Sequence, residues 1–305
     1  HHLSFRPEHY LLIGPASLTI LRMNTMDKQS KMNFLITGVS SGFGRAFALA
    51  ALQAGHTVIG TVRNDAARKD FEDLASDRAY GLVLDVTDFA AIDNAVALVS
   101  EKFGPIDVLV NNAGYGHEGT LEESPLEEMR HQFDVNVFGA VAMIKAVLPS
   151  MRERRTGHII NITSMGGFIT MPGIAYYCGS KFALEGISET LAKEVADFGV
   201  KVTAVAPGSF RTDWAGRSMV RSARHIADYD AVIDPIRAAR QAKSGHQLGD
   251  PAQAAQVLLK IANAADAPVH LLLGSDALGL VRDKLASMTA EIAAWEQVSA
   301  STDFK

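Results

Sequence analysis

A doubly wound α/β fold, one domain built on a parallel sheet of about seven strands with helices on both faces and an inserted lid, is predicted by three observations. Short Val- and Ile-rich runs alternate with longer stretches of helical period. Those runs are apolar on both faces. A glycine turn directly follows the first of them. The runs fall at 34–37, 57–62, 81–86, 108–110, 158–162, 202–206 and 269–273, with helix-like segments near 42–54, 88–103, 125–152, 174–198 and 251–264. Strands apolar on both faces and separated by helices belong in a parallel sheet covered on each side, because the crossover between parallel neighbours is itself a helix. Ligands of such sheets bind beyond the carboxyl ends of the strands, so the residues just after each run carry the functional reading.

Composition removes several classes of function. The chain has 305 residues, 48% hydrophobic and 21% charged, enough for a full core and too apolar for disorder. Lys+Arg 29 against Asp+Glu 34 gives a formal charge of -5, and no basic run stands out, so neither nucleic acid nor an anionic membrane is an expected partner. The single cysteine, Cys178, excludes an intramolecular disulfide framework and a multi-Cys zinc site, and it fits a reducing, cytoplasmic setting. No bound metal is expected, and no uninterrupted apolar run has the length of a membrane span.

Residues 1–31 are expected to lie outside the fold. The leading His1-His2 pair has the look of a tag remnant, and the mildly apolar 10–21 stretch is broken by Gly14-Pro15, unlike a secretory signal. The domain proper is expected over 32–274. The 209–249 stretch breaks its rhythm and is read as a substrate lid, with a plain surface loop as the alternative. Its Trp214, Met219, Val220 and Ile226 suit an apolar pocket wall and equally the lid's own packing. The 275–305 tail is alanine-rich with helical period and carries Trp295 near its end. It could cover the pocket, pack on a neighbour, or finish the fold.

Thr37-Gly38-Val39-Ser40-Ser41-Gly42-Phe43-Gly44 follows the first strand. A strand leading through glycines into a helix aims free amides and the positive helix end at a pyrophosphate, and glycine lets the backbone approach it closely. That context makes the sheet Rossmann-type, although the spacing is Gly-x-x-x-Gly-x-Gly. At the tip of the second strand stands Arg63 rather than an acid. A guanidinium there suits a ribose 2′-phosphate, which favours NADP, with NAD as the alternative; an ordinary solvated charge would look the same.

Tyr177 and Lys181 are four apart in a helical stretch and share a face. A phenol titrates near ~10, and a neighbouring ammonium is expected to draw it down toward working pH. Ser164, just past the fifth strand, could donate to a carbonyl oxygen that gains negative charge; a loop cap is its commoner fate. Asn136 is an indifferent helix former placed mid-helix, where a backbone bond or a bound water is the usual reason. Tyr176 has Ser180, not a lysine, at its fourth neighbour.

Taken in order, Thr37–Gly44, Asp85-Val86, Asn111–Gly114, Asn136, Ser164, Tyr177-x-x-x-Lys181 and Pro207-Gly208-x-x-x-Thr212 resemble the short-chain dehydrogenase/reductase family, in its shorter branch with a TGxxxGxG turn. The match covers about residues 33–273, and Ser164 precedes Tyr177 by the thirteen residues usual in the family. Thr61-Val62-Arg63 and Asn112-Ala113-Gly114-Tyr115-Gly116 look like its 17β-hydroxysteroid and retinol dehydrogenase-like group. The resemblance implies hydride transfer between NADP and a carbonyl or secondary alcohol. In it Tyr177 is the acid/base, Lys181 its partner and ribose clamp, Ser164 the polarising hydroxyl, and Asn136 the anchor of a relay water. It further implies that Gly38, Ser40, Ser41, Gly42, Phe43 and Gly44 line the pyrophosphate, with Ser41 and Arg63 at the 2′-phosphate. Asp85 and Val86 would meet the adenine, Asn111, Asn112, Ala113 and Gly114 would hold the adjoining turn, and Pro207, Gly208 and Thr212 would lie at the nicotinamide. The partners it implies are a small, apolar carbonyl or alcohol substrate and further copies of the chain, as homodimer or homotetramer. A nucleotide-sensing or scaffold protein that has lost turnover is the alternative, against which the full Asn136–Ser164–Tyr177–Lys181 set counts.

Overall fold

Nine strands and nine α-helices are formed among residues 30–212, 214, 216 and 218–304, which the computed structural model describes. The 1–29 stretch expected to lie outside the fold is itself outside the described residues, and the compact unit begins at Met32. The strands are β1 (Asn33–Ile36), β2 (Thr57–Val62), β3 (Ala79–Val83), β4 (Val108–Asn111), β5 (Gly116–Glu118), β6 (Gly157–Ile162), β7 (Val200–Pro207), β8 (Met219–Arg221) and β9 (His270–Leu273). The helices are α1 (Gly42–Gln53), α2 (Asp65–Glu72), α3 (Phe89–Phe103), α4 (Leu126–Phe133), α5 (Gly139–Arg154), α6 (Ala175–Val195), α7 (Asp230–Ala242), α8 (Pro251–Ala262) and α9 (Ser275–Ala300).

Seven strands pair in the order β3-β2-β1-β4-β6-β7-β9, every pair parallel. The strand order reverses between β1 and β4, which places the crevice of a doubly wound sheet at that point. Alternate side chains divide between the faces because successive residues of a strand point opposite ways. Phe34, Ile36, Val58, Val110 and Ile160 face α1 and α8, whose Phe47, Ala51, Leu258 and Ile261 complete one core. Leu35, Ile59, Leu109 and Ile159 face the other way, toward Ile92 and Val96 of α3, Met143 and Val147 of α5, and Leu191 of α6.

Three departures from the sequence reading have local causes. The third strand ends at Val83, not at 86, because the Asp85 carboxylate accepts from the Thr87 amide (2.9 Å) and hydroxyl (2.7 Å) and turns the chain. The short helix α2, absent from that reading, is started by Asn64, whose side chain accepts from the Ala67 amide at 2.9 Å. The long helix expected over 125–152 is α4 and α5 joined by a π-turn at Asp134–Phe138. The combined run Leu126–Arg154 is long and apolar enough to cross a bilayer by length and composition, and its Met143, Ile144, Val147 and Met151 pack on the sheet.

His158 of β6 is buried and its Nε2 lies 2.9 Å from Thr203 Oγ1. The Thr203 hydroxyl donates to Pro268 O (2.7 Å), so the ring proton sits on Nε2. Burial, with Lys201 nearby, lowers this histidine from 6.5 to about 3. The unfolded chain therefore takes up a proton that the folded chain refuses, and stability falls as pH drops from 6.5 toward about 3, by up to ~1.4 kcal/mol per pH unit. Denaturant midpoints at pH 7 and pH 5 should show this loss, and His158→Gln should flatten it.

Candidate active site

The carboxyl ends of β1, β2, β4, β6 and β7 open onto a cleft of about 930 Å³. At one end the glycine turn is tied into the sheet from two sides. Thr61 Oγ1 of β2 accepts from the Gly38 amide at 3.0 Å. Asn112, just past β4, donates through Nδ2 to the carbonyls of Thr37 and Gly38, both at 3.0 Å, while Thr37 Oγ1 accepts from the Asn112 and Ala113 amides. Gly38 turns through φ 73, a conformation that disfavours a side chain. A Cβ on Gly44 would lie 2.1 Å from Gly38 O, so this glycine lets α1 pack against the turn. Gly44 does not line the cleft; its predicted contact with the pyrophosphate is replaced by this packing role. Ser41, the N-cap of α1, makes no side-chain cap bond, which leaves the first amides of the helix to a ligand. Together these features fit a dinucleotide.

Ser40, Gly42, Phe43, Arg63, Asp85, Val86, Ala113, Gly114, Pro207, Gly208 and Thr212 line the same cleft. The Asp85 carboxyl is held below its ordinary range by the Thr87 amide and hydroxyl, with Arg63 close enough to add to the effect. Asn111 points away instead, donating to Asn161 Oδ1 at 2.9 Å and Ala140 O at 3.3 Å, and so links β4 to β6 and α5.

Ser164, Tyr177 and Lys181 meet at the other end. Ser164 caps a short 3-10 turn, accepting from the Gly166 amide at 3.0 Å, and a Cβ on Gly166 would lie 3.3 Å from both Ser164 Oγ and the Tyr177 ring. Lys181 Nζ donates to Ile162 O at 2.9 Å and lies 5.8 Å from the centre of the Tyr177 ring. The expected lowering of the phenol does not occur. Burial pushes Tyr177 up to about 12, against a smaller opposite pull from Ser164. Desolvation penalises the phenolate more than nearby dipoles favour it. The ammonium, rather than the phenol, is moved toward neutrality: burial lowers Lys181 to about 8, and Glu185 one turn along α6 works against that. Glu185 is itself buried, joined to Thr163 Oγ1 and to His270 Nδ1 (2.8 Å).

Asn136 lies behind the cleft, not in it. Its Nδ2 donates to Tyr115 O (3.2 Å) and Ser180 Oγ (3.1 Å), and its Oδ1 accepts from the Tyr115 amide (3.2 Å). Both amide hydrogens are spent on protein, leaving one Oδ1 lone pair for the water that the resemblance implies. The π-turn carries this side chain between β5 and α6, an irregularity typical of functional positions. Tyr176 is structural, donating to Ser124 O at 2.7 Å.

The lid is more ordered than an inserted loop. Its β8 pairs in parallel with β5, and one face of α7, with Ile236, Ala239, Arg240 and Lys243, looks into the cleft. Two buried carboxylates that the sequence reading passed over hold it down. Glu118 binds Arg237 (2.6 Å) and Arg240 of α7. Glu123 accepts from the amides of His225 (2.7 Å) and Ile226 (2.8 Å) and from Arg224 (2.8 Å). Burial alone would raise Glu123, but these donors and Thr120 hold it down at about 2. Trp214 packs on Tyr177 with ring centres 5.0 Å apart, which makes it a pocket wall. No sequence signal marks these pairings, since each joins residues distant along the chain.

The profile of the short chain dehydrogenase family matches residues 32–221. The chain belongs to that family. Its curated relatives include "Oxidoreductase BOA17" of Botryotinia fuckeliana, 36% identical over 267 residues, 87% of this chain and 97% of that protein. A crystal structure of a short-chain dehydrogenase from Streptomyces avermitilis superposes with a TM-score of 0.85 at 43% identity, covering 90% of this chain and 99% of that one. ElxO with NADP bound follows at a TM-score of 0.68 and 28% identity, covering 82% and 99%. With relatives named as oxidoreductases and reductases, this short-chain dehydrogenase is an oxidoreductase acting on the CH-OH/C=O couple.

Glu185→Gln removes the carboxylate that helps to keep Lys181 charged. The lysine should then titrate below about 8, and NMR titration of the Lys181 side chain is the measurement that checks it. An unmoved titration would contradict the coupling.

Proposed function

We propose that this dehydrogenase reduces the carbonyl group of a small, largely apolar substrate with NADPH, and that Tyr177 delivers the proton. The observation that carries the reading is geometric: the Tyr177 phenol, the Ser164 hydroxyl and the Lys181 ammonium meet at one end of the cleft, and burial keeps the phenol protonated. A protonated phenol placed beside a hydroxyl and an ammonium can give its proton to an oxygen that gains negative charge, with the ammonium favouring the phenolate left behind. Reduced nicotinamide, when bound, supplies the hydride.

The chain's own residues do the rest. Ser164 Oγ orients the carbonyl oxygen toward the phenol, and Tyr177 passes its proton to that oxygen as the carbon takes the hydride. The Lys181 ammonium, held by Ile162 O, stabilises the resulting phenolate. Met171, Ile174 and Trp214 form an apolar wall that keeps water from the reacting atoms. The residues that would hold the cofactor are the glycine turn, Asn112–Gly114 and Pro207–Thr212, with Lys181 at the ribose.

Arg63 supports NADP over NAD. It is exposed and lines the same cleft as Ser40 and Ser41, so its guanidinium is free to pair with a 2′-phosphate. The relatives lean the same way: ElxO was solved with NADP, and a relative from Ornithobacterium rhinotracheale, 36% identical over 190 residues, is named NADPH-dependent 3-dehydrocapnine reductase.

Tyr177→Phe should lower kcat for carbonyl reduction by about 10²- to 10⁴-fold while leaving NADPH affinity intact. Steady-state rates over a ketone and aldehyde panel, paired with calorimetric binding, measure both, and undiminished turnover would end the proposal. Arg63→Asp should weaken NADPH binding by roughly ten-fold or more and leave NADH nearly unchanged. Tighter binding of NADH than NADPH by the native protein would overturn the cofactor assignment.

A further inference from the structure

Helix α9 is anchored to the body only through its first two turns. Ala277 and Val281 are buried, and the Asp276 carboxylate accepts from the Ser209 amide at 2.8 Å. From Leu285 to Ala300 every residue is exposed, a run of roughly 24 Å of helix. Propensity alone seldom sustains so long a solvated helix, and its exposed side chains are not those of a solvated face. Leu285, Met288, Ile292 and Trp295 are 56%, 44%, 67% and 64% exposed. Their spacing alternates three and four residues, and Val281 extends it toward the body. That is the seam of a coiled coil, with Ala286, Ala290, Ala293 and Ala294 keeping the flanks small.

The charges beside this seam say what covers it. In heptad terms Leu285 and Ile292 take the first position and Met288 and Trp295 the fourth. Arg282, Thr289 and Glu296 then flank one side, and Lys284, Glu291 and Val298 the other. Cations stand at the beginning of the run and anions at its end. A parallel copy would set Glu291 against Glu296 of its mate, a like-charge contact. An antiparallel copy sets Arg282 against Glu296 twice, because the pair is two-fold symmetric, and Glu291 against its own counterpart once, so it has two attractive contacts and one repulsive where the parallel pair has two repulsive. Since Val281 is already occupied by the body, the exposed seam closes on itself in one register. Leu285 then meets Trp295, Met288 meets Ile292, and Thr289 meets its own counterpart near the axis.

We propose that α9 is a self-association surface, pairing antiparallel with α9 of a second copy of this chain in that register. The apolar seam supplies the contact, and the polarity of its flanking charges selects the orientation. This proposal is independent of the catalytic reading, since none of the seam or flanking residues from Val281 onward lines the cleft.

The test uses the full chain. Thr289→Cys should form an intermolecular disulfide under mild oxidant, with little background because the native Cys178 is buried. Asp283→Cys, on the outer face, should not. Ile292→Asp combined with Trp295→Asp should halve the native mass in sedimentation and raise the dissociation constant by roughly thirty-fold or more, with circular dichroism and NADPH binding unchanged. Glu296→Arg should weaken association about two- to five-fold, and adding Arg282→Glu should restore it. An unchanged mass for the double aspartate variant would overturn the surface. Equal crosslinking at positions 283 and 289, or no rescue by the charge reversal, would overturn the antiparallel register.

Discussion

Because all seven strands of the main sheet run parallel, their carboxyl ends lie along one edge, and the segments leaving them must find their hydrogen bonds outside the ladder. Thr37 and Asn112, leaving β1 and β4 at the point where strand order reverses, satisfy each other's backbone groups. This mutual clamp holds the glycine turn open at the head of α1 and fixes the mouth of the cleft. Ser164, Thr163 and Pro207 stand along the same edge for the same reason: they are the next residues, or the last, of their strands. Ser164, Tyr177, Lys181 and the glycine turn converge on one cleft here although their positions in the chain are far apart.

Charge buried along that edge divides into two uses. Around Lys181, desolvation sets the protonation states. It keeps the phenol neutral and brings the ammonium to where a small change of environment alters its charge. The buried Glu185 restrains that shift, and His270 and Thr163 in turn satisfy its oxygens. Beneath the lid, Glu118 and Glu123 are fully paired with arginines and amides. Breaking such a pair from one side leaves an uncompensated buried charge, so these contacts specify where the lid sits more than they add net stability.

The alternation of apolar runs and helical stretches was legible because each strand is covered on both faces and each helix on one, so period alone distinguishes them. Tyr177, Lys181, Ser164 and the glycine turn were legible because their spacing is local or lies at strand ends. Less was visible where pairing is remote. The β5–β8 ribbon joins segments about a hundred residues apart, and its short strands look like loop in either segment alone. Gly44 is expected from its spacing at the pyrophosphate, whereas the folded chain uses it to let α1 pack against the Gly38 carbonyl, and the partners of Asn136, Tyr115 and Ser180, are visible only in the fold.

By itself, then, the amino-acid order determined the layers and the edge of the sheet where the cleft opens, since these follow from periodicity and from what directly succeeds each strand. Only the tertiary structure decided the protonation of Tyr177 and Lys181, the seating of the lid, and the exposure of the apolar seam on α9. Each depends on how much water remains around a side chain, a quantity set by residues brought near in space and not written at any one position.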